Sequence, residues 1–258
     1  YHIFAGLGWQ PPRFGHIPLI HGPDGAKLSK RHGALGVDAY REMGFLSEAI
    51  NNYLCRLGWS HGDDELFSRA EAEQWFDSDG IGKSPARFDM DKLLSVNAHW
   101  LRQLSADALA DDILSHTSHS PPAASRGWLI ALAPLLAERA QTLDELRASA
   151  GWLLHNGAPS PDEAAETILN QEAIACLKLF VKFLTNADDA KIVSLDAFQS
   201  AFQEFLAENE LKMKDLGLPL RAALTGTKAA PSITDIIVAL GRAETVLRLE
   251  QICNRQDS

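Results

Sequence analysis

Several things are missing from this 258-residue sequence, and each absence removes a class of protein. No run approaches the ~18 consecutive apolar residues that a bilayer-spanning helix needs, because charges interrupt the longest apolar windows. A soluble, cytoplasmic chain with no membrane partner is therefore expected. The three cysteines, Cys55, Cys176 and Cys253, are odd in number, far apart and set among apolar residues, which argues against a disulfide framework and for reduced thiols. The nine histidines form no HxxxH and the cysteines no CxxC, so no protein-bound metal is expected. The opening, YHIFAGLGWQPPRFGH, has neither an initiator Met nor the charged-then-apolar layout of a signal peptide, and it reads as the middle of a longer chain. Internal repeats of fixed period and low-complexity segments are also absent.

What is present is enough apolar residue, 46% of the chain, to bury two ordinary cores. The formal net charge of −10 is unevenly spread. Residues 61–210 hold 11 basic against 25 acidic side chains, whereas residues 1–60 and 211–258 are each net +2. That balance disfavours non-specific nucleic-acid binding, but it leaves room for a polyanion partner at a local cluster of cations. The adjacent carboxylates Asp63-Asp64-Glu65 and Asp188-Asp189 point apart rather than converge, and read as a solubilising surface.

The one good strand candidate is HIPLI, His16–Ile20, and beyond Val37 the periodicity is helical almost throughout. In FLSEAINNYLCRLGW the apolar positions recur at helical spacing, with Ser47 as the cap and Gly58 as the stop. Ser68-x-x-Glu71, Thr142-x-x-Glu145 and Ser160-Pro161-Asp162-Glu163 fit capping boxes, the last with Pro at the first helical position. A long amphipathic stretch from Asp162 to Leu184 carries a break near Asn170, and Ser115–Ser125 reads as a loop. Two further helical patterns follow. Trp59, Trp75 and Trp152 sit in apolar patterns and are expected in the core. The fold class expected is mainly α: a short mixed segment over 1–60, then all-helical subdomains over 61–160 and 161–258.

The chemistry concentrates in HGPDGAKLSKRHGA. Gly22, Gly25 and Gly33 let the backbone approach a ligand, and Lys27, Lys30 and Arg31 stand beside them, which together suit a polyphosphate. A solvated basic turn is the plain alternative. The P-loop pattern fails, since Ala26 separates Gly25 from Lys27 and Leu28 separates Lys27 from Ser29.

The stretch KLSKR, Lys27–Arg31, preceded by PLIHGPDGA and followed by HGALGVDAYREMGF, resembles the KMSKS-type loop of class I aminoacyl-tRNA synthetases in the form of bacterial-type glutamyl-tRNA synthetases. Three other segments resemble that family in the same order: INNYLCRLGW (Ile50–Trp59), SPARFDMDKLLSVNAHWLR (Ser84–Arg102) and LPLRAALTGTKAAPSITDIIVALGRAETVLRL. The resemblance covers essentially the whole chain. Leu28 and Arg31 depart from the general class I pattern, in a way common among glutamyl enzymes.

The resemblance implies that the complete enzyme joins glutamate to tRNA(Glu) through an adenylate made from ATP, with Mg²⁺ accompanying the nucleotide. Glutamate would be bound by a Rossmann half bearing the HIGH signature. Nothing here resembles that signature, so this chain is expected not to activate an amino acid by itself. Lys27 and Lys30 are implied to be the catalytic cations on the ATP phosphates, within an ATP-binding loop of Lys27, Leu28, Ser29, Lys30 and Arg31. Anticodon reading would come from the helical remainder, with Arg139, Arg221 and Lys228 as tRNA-binding candidates. Arg139 reads equally as a helix-end cation, and Arg221 as a brace against Thr225-Gly226. Arg87 and Lys92 would touch the inner side of the tRNA, or pair with Asp89 and Asp91. A monomer is expected. The alternative reading is a non-catalytic tRNA-binding or assembly module built from the same helical domains. The glutaminyl branch is disfavoured because it binds the anticodon with β-barrels, and no barrel-like succession of strands is present.

Overall fold

The computed structural model describes residues 1–14, 16–29, 35–188 and 194–255. The chain divides into two compact units, Tyr1–Trp100 and Leu101–Ser258. The expected boundaries after residues 60 and 160 each fall inside one of these units.

The first unit contains α1 (His2–Gly6), β1 (Ile20–His21), α2 (Val37–Glu42), α3 (Ser47–Gly58), α4 (Arg69–Trp75), β2 (Ala86–Arg87) and most of α5 (Met90–Arg102). Its core forms where the inner face of α3 meets α5: Phe45, Ala49, Tyr53, Leu93 and Val96 are buried together, with Tyr40, Met43, Ile50 and Phe88 packed against them. Tyr53 gives this core a polar anchor. Its hydroxyl donates to the Asp89 carbonyl (2.9 Å) and accepts from the Asp89 N–H (2.7 Å), while its ring meets Phe88 edge-on at 5.5 Å. Burial pushes the Tyr53 phenol up, so it stays a protonated donor throughout the neutral range.

The strand expected at His16–Ile20 is not formed over His16–Leu19. Among the described residues the ladder in that neighbourhood is β1 against β2, parallel, with Ile20 opposite Ala86 and His21 opposite Arg87, beside a single bridge from His21 to Lys27. An apolar run four residues long becomes a strand only where a partner ladder exists, and here the partner spans two residues. Ser47 is not the cap of α3; Leu46 holds that place, its N–H satisfied by Asn97 Oδ1 at 2.8 Å, while the Ser47 hydroxyl turns to Glu48.

The second unit is all-helical among its described residues: α6 (Ala106–Ser115), α7 (Ser125–Ala137), α8 (Leu143–Ala150), a 3-10 turn at Gly151–Leu154, α9 (Glu163–Ile168), α10 (Gln171–Asn186), α11 (Leu195–Glu208), α12 (Met213–Thr225) and α13 (Ile233–Arg255), the last interrupted at Gly241. Ser68 forms a complete capping box with Glu71, and Thr142 accepts from the Glu145 N–H. The third expected box is displaced: Asp162, not Ser160, caps α9, so Pro161 precedes the helix instead of opening it. The break near Asn170 is present, with Asn170 capping α10 through the Ala173 N–H. Gly226 ends α12 in the left-handed region (φ 72°), and a Cβ there would stand 2.7 Å from the Ser160 carbonyl oxygen. Glycine is thus required twice over, by the dihedral and by the approach of the 160 segment, whose Asp162 N–H donates to the Gly226 carbonyl at 2.8 Å.

Arg248 organises this unit. Fully buried on α13, it donates through Nε to Glu244 Oε1 (2.8 Å), through Nη1 to the Leu224 carbonyl (2.8 Å) and through Nη2 to the His155 carbonyl (2.9 Å). Its guanidinium also lies 5.4 Å from the Trp128 ring centre and 5.6 Å from that of Trp152. Glu244 Oε1 in turn accepts from the Gly157 N–H at 2.8 Å. Desolvation lowers the Arg248 pKa, opposed by Glu244. Arg248→Met would leave the Glu244 carboxylate and two carbonyls without their cation, and should cost about 3–5 kcal/mol. Denaturant unfolding should show a lower midpoint with an unchanged m-value.

Candidate nucleotide loop and nucleic-acid interface

The stretch expected to hold phosphate begins as a tight hairpin. Pro23 and Asp24 occupy the corner of a turn in which the Gly25 N–H donates to the Gly22 carbonyl (3.0 Å) and the Gly22 N–H to the Ala26 carbonyl (2.8 Å). The Asp24 carboxylate accepts from the Ala26 N–H at 3.0 Å, the side-chain closure that makes Asp a turn residue. Gly25 sits at φ 78°, the left-handed residue that such a three-residue hairpin requires. The return strand is pinned by the Leu28 N–H to the Ile20 carbonyl (2.9 Å) and by a bridge between His21 and Lys27. Phe88 then fixes the hairpin to the core by donating its N–H to the His21 carbonyl at 2.8 Å.

Lys27 is consequently exposed on a braced backbone, with no ion-pair or hydrogen-bond partner for its ammonium among the described residues. Leu28 and Ser29 are half-buried beside it. Lys30 and Arg31, the other cations assigned to the loop, lie outside the described residues, as does Gly33. Among the described residues the loop therefore presents one ammonium, that of Lys27.

Arg87 is exposed on β2, directly opposite His21, and a Cβ on Gly25 would stand 3.8 Å from Arg87 Nη2, so Arg87 and the hairpin tip are neighbours. It makes no ion pair with Asp89 or Asp91. Lys92 does pair, but with Glu65 and not with the aspartates nearest in sequence; the Asp89 carboxylate is taken by the Lys92 backbone N–H (3.1 Å), capping α5. Lys92 holds the Glu65 carboxyl below its ordinary range. Glu65 thus stabilises the fold above its unfolded pKa, and this contribution fades as pH falls through its lower folded pKa. Asp64, a neighbour in the same acidic run, accepts from His61 Nδ1 at 3.0 Å.

In the second unit the three nominated cations converge. Arg139, just after α7, donates through Nη1 to the Ala230 carbonyl, and Arg221, on α12, through Nε to the Pro231 carbonyl, each at 3.3 Å. The two arginines straddle consecutive residues of one loop. Arg221 has its pKa lowered by burial and then by the charge of Arg139, the mark of like charges held together. Arg221 does not brace Thr225 with its side chain; the Thr225 hydroxyl instead donates to the Arg221 backbone carbonyl at 2.8 Å. Lys228 is exposed on the same loop, with no ion-pair partner among the described residues. A cleft of about 490 Å³ opens beside Arg221, lined also by Gln199, Gln203, Met213, Ser232 and Thr234. Sequence reasoning did not find the two glutamines, since they arrive from α11 and carry no local signal linking them to Arg221. Of the tryptophans, Trp59 and Trp152 are buried as expected, while Trp75 is half-exposed and stacked on His61 at 4.5 Å.

Two substitutions test this geometry. Gly25→Val fits the available space but not the dihedral; placing a β-branched residue there should cost roughly 1–2 kcal/mol and shift the amide resonances of Gly22 and Ala26. Glu65→Gln should flatten the acid limb of the stability–pH curve, measured by thermal melts between pH 3 and pH 6.

Among the described residues no group of three or more His, Cys, Asp or Glu side chains is placed to hold a metal ion, and no helix is long and apolar enough to cross a membrane. Residues 1–95 match the family described as tRNA synthetases class I (E and Q), catalytic domain, and residues 99–253 the family described as anticodon binding domain. The glutamate–tRNA ligase 2 of Parvibaculum lavamentivorans is 46% identical over 96% of this chain and 51% of its own length. The glutamate–tRNA ligase of Azorhizobium caulinodans is 43% identical over 96% of the chain and 54% of its own length. The crystal structure of a glutamate tRNA ligase from Elizabethkingia meningosepticum in complex with its amino acid shares the fold, with a TM-score of 0.80 at 24% identity, covering 98% of this chain and 53% of that one. The chain spans about half the length of the curated relatives it matches. With a match over more than half of its residues, the chain belongs to the family described as anticodon binding domain.

Proposed function

We propose that this chain is the tRNA-gripping and ATP-site-closing part of a glutamate–tRNA ligase, an enzyme that joins glutamate to tRNA(Glu) through a glutamyl-adenylate formed from ATP. In this reading Lys30 meets the ATP phosphates, with Lys27 assisting from the braced hairpin. Leu28, Ser29 and Arg31 complete the loop, Mg²⁺ arrives with the nucleotide, and glutamate is held outside these residues. The braced hairpin supports the assignment: activation expels pyrophosphate while charge shifts at the α-phosphate, and a preorganised ammonium stabilises that arrangement more than the ground state. No nucleophilic side chain is needed. The chain acts as a cytoplasmic monomer, and its helical part subdivides near residue 160.

The observation that carries the tRNA half of the proposal is the Arg139–Arg221 pair. Two arginines clasping consecutive carbonyls beside a polar cleft, with the Arg221 pKa lowered by burial and then by Arg139, leave donors for an anion or a base edge, and Lys228 adds an exposed charge on the same loop. Arg87 stands free to meet RNA from the first unit, whereas Lys92 must first release Glu65.

Filter binding of this chain to glutamate-tRNA transcripts at two salt concentrations tests the proposal. Lys228→Gln should weaken binding for all transcripts alike and reduce the salt slope by about one. Arg139→Ala should cost about 1–3 kcal/mol with the native anticodon and far less with an anticodon mutant. Equal binding of native and mutant anticodons by the unaltered chain would remove the reading role.

A further inference from the structure

We propose that the cleft between α3 and α4 is a binding site for a neutral, planar heteroaromatic small molecule bearing a carbonyl acceptor. This site lies wholly within the first unit, shares no residue with the Lys27 hairpin or the Arg139–Arg221 cluster, and is independent of the function proposed above.

The cleft encloses about 530 Å³, within the range of small-molecule sites. Trp59, Phe67 and Phe76 supply three aromatic surfaces on its wall, and Phe76 remains 60% exposed, a large ring left uncovered at the edge of the cleft. Charge selects against an ion. The two charged residues on the wall, Arg69 and Glu73, neutralise each other through a 2.7 Å bond one helical turn apart, and Cys55 is a thiol whose pKa burial raises.

Two polar groups on the wall keep donor capacity among the described residues: the buried Trp59 indole N–H, which has no partner, and the Asn52 amide, which has one. Asn52 is 3% exposed. Its Oδ1 accepts from the Trp100 indole (3.2 Å) and the Phe67 N–H (3.4 Å), which fixes the amide's orientation. Its Nδ2 donates one hydrogen to the Glu65 carbonyl at 3.0 Å, and the second has no acceptor among the described residues. A buried donor with this deficit favours a ligand that brings a carbonyl oxygen. The ring surfaces favour a flat ligand, and the self-neutralised wall favours an uncharged one.

The test uses 2-quinolinone as the probe and naphthalene-2-sulfonate as its charged, carbonyl-free counterpart. Titration of the chain with 2-quinolinone should saturably shift the Asn52 side-chain amide and the Trp59 indole resonances. At ten times the apparent Kd from that titration, alkylation of Cys55 by N-ethylmaleimide should slow about tenfold, by the occupancy factor 1 + [L]/Kd. Cys176, half-buried on α10, should react at its original rate and serves as the internal control. Ala72→Trp fills the cleft and should abolish both effects while helical circular dichroism is unchanged. Equal protection of Cys55 and Cys176, equal binding of the sulfonate, or undiminished binding to a folded Ala72→Trp variant would each overturn the proposal. Should Ala72→Trp fail to fold, the Cys55-to-Cys176 comparison in the unaltered chain decides alone.

Discussion

The second unit hangs on a buried arginine. Removing a guanidinium from water is expensive, and the expense is met only because every face of Arg248 finds a partner: a carboxylate, two carbonyls and two indoles. Those partners come from α7, the 3-10 turn, the segment at His155, the end of α12 and α13 itself. A single side chain therefore specifies the mutual placement of five pieces of chain that an apolar residue of similar volume would merely keep dry. The loop carrying Lys228 starts at the same α12 end, two residues beyond Leu224. The cationic cluster thus inherits its position from the arginine beneath it.

In the first unit the equivalent anchor is Tyr53. Its hydroxyl clamps both backbone groups of Asp89, and the adjoining Phe88 N–H holds the His21 carbonyl. A line of hydrogen bonds leads from the centre of the α3–α5 core to the hairpin that displays Lys27. The exposed Lys27 thus stands on a backbone already held by hydrogen bonds on both strands of the hairpin.

Local signals were readable where a residue acts on its own neighbours. Ser68 and Thr142 each cap the helix their spacing implied, the break expected near Asn170 is present, and the Pro-Asp-Gly turn at 23–25 folds as its residue types demand. Reading failed where distant groups decide. Leu46 takes the cap position expected of Ser47, its N–H held by Asn97 from 51 residues away. Glu65 claims Lys92 across 27 residues while the nearer aspartates are otherwise engaged. Nothing near Arg248 in sequence announces that it is buried, because its partners Leu224 and His155 contribute only backbone oxygen. The convergence of Arg139 with Arg221 was likewise invisible, although each was nominated separately from the family resemblance.

The two-residue parallel pairing of Ile20–His21 with Ala86–Arg87 joins points 66 residues apart in the chain. So small a ladder repays little of the entropy lost in closing so wide a loop, and it can persist only after α3 and α5 have docked. The hairpin closes on its own local bonds, and it is its tie to β2 that waits on that foundation. A half-folded chain therefore displays Lys27 without its tie to β2, and the placement of that cation is a property of the finished first unit.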